Sequence, residues 1–209
     1  MRLPRQLDAI EVRVLGCLLE KEQTTPNGYP LSVNSLTAAC NQKSNRDPVM
    51  QLKEGEVRAC LDRLHEDVLV WPVTGARVEK WRHSLDRRWD LEPETRAVMT
   101  VLMLRGPQTP GEIRGRSERI YPFRETEEVE RTLRSLSEGD EPMVVRLGRA
   151  AGQKEDRWTH LLTGPPDPEE LEKLIRDQPG PRASGPSTSE RLAALEERVA
   201  RLEKLLEGL

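Results

Sequence analysis

The feature that most constrains this chain is a pattern that occurs twice. Glu56-Val57-Arg58, followed by Leu61 and Leu64, recurs as Glu128-Val129-Glu130, followed by Leu133 and Leu136. Each copy sets its apolar residues on one helical face. Self-similarity of this kind implies a single supersecondary unit used twice. The fold must therefore accommodate two small cores rather than one large one.

The flanking residues define the unit. In the first copy, Leu7, Ile10, Val14, Leu15, Leu18 and Leu19 share a face and predict a helix over about residues 7–22. The stretch Thr24-Thr25-Pro26-Asn27-Gly28-Tyr29-Pro30 ends it. Ser32 then caps a second helix carrying Val33, Leu36, Ala39 and Cys40. A polar loop from Asn41 to Gly55 leads to a third helix from about Glu56, with Val57, Cys60, Leu61 and Leu64 inward. Two extended segments follow, Val68–Thr74 and Val78–Leu91, joined at Thr74-Gly75. In the second copy the helices are Glu94–Arg105, a short one at Pro110-Gly111-Glu112-Ile113, and Thr126–Ser137. Met143–Leu147 and Arg157–Leu162 form its hairpin. Three helices followed by a hairpin is the order of a winged-helix unit, whose third helix ordinarily enters the major groove of DNA. The expected class is mainly α with small β-hairpins (α+β), as tandem winged-helix domains over residues 1–91 and 92–164.

Beyond these lie a small helix (Pro168–Asp177) and a Pro/Gly/Ser-rich linker (Gln178–Ser189), together residues 165–189. The tail, 190–209, carries Leu192, Leu195, Val199, Leu202, Leu206 and Leu209 at spacings of three and four. That is an a/d seam of a coiled coil, and a homodimer follows from it. Placing Leu192 at a puts Arg191 and Arg198 at g, opposite Glu196 and Glu203 at e of a parallel partner. The alternative is an amphipathic helix folded back on its own domain, because so short a helix is marginal alone.

Several of these residues carry a resemblance. Leu15-Gly16-Cys17-Leu18-Leu19-Glu20-Lys21, Thr25-Pro26, Tyr29-Pro30-Leu31-Ser32-Val33-Asn34 and Ala39-Cys40-Asn41-Gln42-Lys43-Ser44-Asn45-Arg46 with Pro48-Val49-Met50 are similar to the YceH family of bacterial proteins. So are Leu104-Arg105-Gly106-Pro107-Gln108-Thr109-Pro110-Gly111-Glu112 and His160-Leu161-Leu162. The resemblance runs from Leu7 to Gly164. It implies a tandem winged-helix fold with a C-terminal helical tail. The family is uncharacterised, so no catalytic residue carries over.

Charge bears directly on function. Lys+Arg number 33 and Asp+Glu 36, a net charge of −3, so no global basic field gathers a polyanion. Positive charge instead pools locally. Arg77, Lys80, Arg82, Arg87 and Arg88 outnumber Glu79 and Asp86 in the first hairpin. Arg114, Arg116, Arg119 and Arg124 face Glu118 alone before the second third-helix. Arg146, Arg149, Lys154 and Arg157 lie in the second hairpin beside Glu155 and Asp156. The loop Asn41, Gln42, Lys43, Ser44, Asn45, Arg46 combines amides, a hydroxyl and two cations, the groups that read phosphates and base edges. The same residue types favour turns for local reasons, so a structural loop is the competing reading. The basic clusters have one too, as the solvated surface of a chain that is 33% charged. The third helices oppose DNA. Glu56, Asp62, Glu66 and Asp67 load one, and Glu127, Glu128 and Glu130 the other.

Seven aromatic residues leave few platforms for stacking single-stranded bases. His65, His83 and His160 have no metal-ligand spacing with Cys17, Cys40 and Cys60, and neither a phosphate-binding glycine loop nor a nucleophile elbow is present. The reading is a non-enzyme without metal or cofactor. Three cysteines without CxxC spacing and the lack of a signal core or membrane span point to the cytoplasm. The expected partners are a second copy and duplex DNA through Asn41–Arg46, Arg77, Lys80, Arg82, Arg114, Arg116 and Arg119. Docking onto another protein is the second reading.

Overall fold

The computed structural model describes residues 3–73, 75, 78–85, 89, 92–147 and 155–167. The heptad seam Leu192, Leu195, Val199, Leu202, Leu206 and Leu209 lies outside the described residues, as do Arg77, the helix at Pro168–Asp177 and the linker.

Helix α1 (Ala9–Thr24) starts two residues later than its apolar pattern does, because Asp8 caps it. The Asp8 carboxylate accepts from Glu11 N while the Glu11 carboxylate accepts from Asp8 N, which satisfies two amides that a helix start leaves open. A 3₁₀ turn at Pro26–Gly28 precedes a two-residue strand, β1 (Leu31–Ser32), which the sequence did not announce. Ser32 then caps α2 (Val33–Cys40) through Ser35 N, as expected. Helix α3 (Glu54–Glu66) begins earlier than expected, since Glu56 reaches back to Lys53 N and completes the first turn.

Strands β2 (Val70–Val73) and β3 (Lys80–His83) make the hairpin, and β1 joins it on the far side of β3, giving the order β1-β3-β2. The extended segment expected over Val78–Leu91 is much shorter. Beyond β3, Ser84 N donates to Leu69 O and Ser84 Oγ to Val68 O, and the chain turns inward to bury Leu85 and Trp89.

The second half repeats the order with α4 (Pro93–Arg105), α5 (Pro110–Ser117), α6 (Thr126–Ser137), β4 (Val144–Leu147) and β5 (Arg157–His160). Helix α5 is twice the expected length. Thr109 and Glu112 form a capping box at its start, and Pro110 is pre-set for the first helical position. Gln108 bridges to Trp158 of β5 as Leu31 pairs with Trp81 of β3. The two halves therefore agree in sequence at a place the helix pattern did not reveal: Lys80-Trp81-Arg82-His83 corresponds to Arg157-Trp158-Thr159-His160. The architecture is mixed α+β with small antiparallel sheets.

The cores of the two halves merge. Leu15, Leu18 and Leu19 of α1 and Val98, Met99 and Leu102 of α4 belong to one contiguous buried cluster that spans both. Gly16 allows this contact. A Cβ at that position would stand 3.0 Å from Leu104 Cδ2 and 3.1 Å from Met103 Cβ.

Candidate nucleic-acid interface

The loop after α2 contains the strongest polar string, and its six residues divide into two groups. Asn41 is an internal brace. Its amide nitrogen donates to Leu52 O at 2.8 Å and its amide oxygen accepts from Leu52 N at 2.8 Å, so one side chain closes the loop as a backbone pair would. Arg46 is buried at 4% exposure. Its Nε donates to Ala39 O at 3.0 Å, and its two Nη groups form a bidentate pair with Glu20 at 3.0 and 2.6 Å. Burial alone would raise the Glu20 carboxyl, yet the Arg46 hydrogen bonds and charge bring it below its ordinary value. Arg46 therefore leaves the expected contact set, because reaching a phosphate would break its buried bidentate pair with Glu20 and its bond to Ala39 O. A second internal cation, Arg13, reaches Cys40 O and Pro48 O from α1 and holds the loop from beneath.

With the loop clamped at both ends, Lys43, Ser44 and Asn45 are held outward and exposed, and Gln42 is half-buried. Asn45 adopts a left-handed backbone, φ 58°, a region that asparagine tolerates well. Asp47 N donates to Leu104 O at 2.9 Å, which ties the loop to the end of α4. The exposed loop of the first half is thereby set against the second.

Between them lies a groove of about 440 Å³. Gln42, Lys43, Ser44 and Asn45 form one wall, and the ends of α4 and α5 the other, with Arg105, Arg116, Arg119 and Ile120. Lys21, Thr24 and Thr25 at the end of α1 complete it. Six of the expected residues are brought together here: Gln42, Lys43, Ser44, Asn45, Arg116 and Arg119. Arg114 is exposed on α5 but does not line the groove. Lys80 and Arg82 sit on β3, away from its lining, with Lys80 half-buried beside Ser32 and Val73 and Arg82 exposed opposite Trp71.

Two lining cations were missed in the sequence, Lys21 and Arg105. Each lies in the last turn of the first helix of its repeat, so the internal repeat carried the signal. Lys21 is 3.1 Å from Glu20 Oε2. Arg105 is lowered from its ordinary value by burial first and by the like charge of Arg116 second. It donates to the neutral Asn45 Oδ1 at 3.4 Å. Arg116 stands 3.6 Å from Glu112, whose carboxylate is already held by Arg157 at 2.9 Å. Among the described residues, Lys43 and Arg119 have no ion-pair partner.

On the third helices, three of the four arginines are paired internally, Arg131 being the exception among the described residues. On α3, Arg58 pairs with Asp62 at 3.2 Å and with Glu79, and stacks over Trp81 at 5.4 Å. Arg63 pairs with Asp8 at 2.9 Å and with Glu11 at 3.0 Å. On α6, Arg134 pairs with Glu130 at 3.3 Å. The cations these helices would offer to phosphate are thus largely engaged.

Cys17, Cys40 and Cys60 are free and buried. Burial pushes the Cys60 thiol up to about 12. Among the described residues no group of three His, Cys, Asp or Glu side chains is placed to hold a metal ion. No helix there is long and apolar enough to cross a membrane.

The family model described as "Protein of unknown function, DUF480" matches residues 7–153. A UPF0502 protein of Geobacter sulfurreducens is 49% identical over 197 residues, which is 94% of this chain and 90% of the relative. One from Acidovorax sp. is 44% identical over 98% of this chain and 93% of its own length. One from Pectobacterium atrosepticum is 44% identical over 98% of both.

Proposed function

The chain belongs to the DUF480 family of proteins of unknown function, the uncharacterised family that includes YceH, and from that premise we propose that it is a dimeric tandem winged-helix protein that binds duplex DNA. The β1-β3-β2 order in the first half supports the winged-helix assignment, since a strand after the first helix pairs with the last strand of the hairpin. The Gln108–Trp158 bridge supports the same for the second. The heptad tail supports dimerisation, and in the cytoplasm the partners would be a second copy and DNA. The reading has the protein act by binding rather than catalysis.

One observation carries the DNA reading. Cations from both repeats converge on the groove edged by Lys43, Arg105, Arg116 and Arg119, while on the third helices Arg58, Arg63 and Arg134 are engaged within the protein and Arg131 alone stands unpaired, among the described residues, beside acidic neighbours. We therefore assign phosphate contact to this junction and not to α3 or α6. If about four phosphates are neutralised, affinity falls on the order of a hundredfold between about 50 and 200 mM salt. Fluorescence anisotropy of a labelled random duplex at the two salt concentrations tests this. Lys43→Ala with Arg119→Ala should flatten the salt slope by about two contacts. Absence of duplex binding at both concentrations, with the protein folded, would overturn the proposal.

A second reading draws on the acidic third helices and on Trp71, which is 45% exposed beside the similarly exposed Val68. These features suit a docking module for another protein. On that reading the duplex binds weakly and with no dependence on Lys43 or Arg119.

A further inference from the structure

Lys21, Arg105 and Arg116 each lie in the last turn of a helix, where a cation offsets the partial negative charge of the open carbonyls. That local role accounts for their positions one at a time, but not for what the fold then does with them. It brings Arg105 close enough to Arg116 for like-charge repulsion to be felt, with Asp47 and Glu112 opposing it from outside the lining, and adds Lys43 and Arg119, which have no ion-pair partner among the described residues. The one carboxylate of the lining, Glu20, is already held by Arg46 and Lys21. Positive charge inside the groove is therefore in excess, and an anion entering it would relieve the repulsion.

The shape argues for a ligand smaller than a duplex. A duplex presents a convex backbone to the rim, whereas a groove of about 440 Å³ lies in the range of small-molecule sites. Its lining is also apolar in part: the half-buried Ile120 stands beside the cations, over a floor of the buried Val101 and Leu104. We propose that the groove is a binding site for a nucleotide-like ligand, with phosphate on Lys43, Arg105, Arg116 and Arg119 and a flat apolar body against Ile120. The consequence, though not the site, rests on the DNA reading: such a ligand occupies the cations that the duplex requires and so releases the protein from DNA.

The test is calorimetric titration of the full chain with adenosine 5′-diphosphate and with inorganic pyrophosphate. A parallel anisotropy experiment adds each to the labelled-duplex complex. Saturable binding of the diphosphate is expected, at least tenfold tighter than pyrophosphate because only the nucleotide covers the apolar part. Lys43→Ala with Arg119→Ala should weaken it at least tenfold, whereas Arg82→Ala, outside the groove, leaves it unchanged. Arg119→Lys should restore part of the loss of the Arg119→Ala single variant, which a collapse of the fold would not allow. Failure of both ligands to bind a protein that does bind duplex overturns this inference and leaves the DNA reading standing. Nucleotide binding without any duplex binding supports the site and overturns the DNA reading. An equal loss in Arg82→Ala would mark the binding as general surface attraction and overturn the site.

Discussion

Within six residues of one loop, the same polar chemistry is put to opposite uses. Lys43 faces solvent while Arg46, three positions on, is an internal counter-ion for Glu20. Arg46→Ala should cost about 2–3 kcal/mol of stability, measured by urea unfolding, because it removes the bidentate hydrogen bonds to the partly buried Glu20 and leaves that carboxylate with Lys21 alone. The folded fraction of that variant should bind duplex with an unchanged salt slope. Glu11 and His160 both contribute to the acid limit of stability. Burial alone would raise the Glu11 carboxyl, but hydrogen bonds from Arg5, Asp8 N and Arg63 hold it at about 2. Its folded value lies below its unfolded value, so its contribution is full above about pH 4.5 and disappears as pH falls towards 2. Burial lowers His160 to about 4, and its Nδ1 has no hydrogen-bond partner. The unfolded chain protonates this ring first, so stability declines as pH falls from about 6.5 to 4. Urea midpoints against pH should thus fall in two stages. Glu11→Gln should shrink the lower stage, which Glu20 shares, and leave the upper one.

At the scale of elements, the helices were largely legible because an amphipathic face repeats every three to four residues. Two helix starts moved by two residues where a carboxylate caps the end, Asp8 for α1 and Glu56 for α3. The strands were harder to read. Strand β1 is two residues long, too short to display alternation, and it exists because Leu31 finds Trp81 across the sheet. The contact of α1 with α4 was hidden for the same reason, since a glycine in a helix does not say what it lies against. Gly16→Ala gains up to about 1 kcal/mol in helix propensity. The new methyl would meet Met103 Cβ at 3.1 Å, and a Cβ fixed to a helix backbone yields little. Net destabilisation of about 1–3 kcal/mol is expected in thermal unfolding. Gly55→Ala on α3, where a Cβ meets nothing within 4 Å, should instead stabilise by about 0.5–1 kcal/mol. If both substitutions stabilise, the α1–α4 contact has room for a methyl at Gly16.

At the scale of the whole molecule, the function we propose needs two things: a shared core that fixes one repeat against the other, and a tail that pairs two chains. Removal of residues 190–209 should turn a dimer into a monomer in sedimentation and weaken duplex binding, while leaving the thermal transition of the core unchanged. An unchanged sedimentation coefficient per mass would dissociate the heptad seam from dimerisation. By itself the sequence determined the repeat, the helices, the mixed α+β class and the heptad spacing, because each is written in residues close along the chain. Only the tertiary structure decided which polar residues face inward. It also decided that Gln42–Asn45, Lys21, Arg105, Arg116 and Arg119 meet around one groove. These residues lie on four separate segments, and their meeting depends on how α1 packs on α4. That packing follows from the shape of buried side chains around Gly16, which no periodicity records.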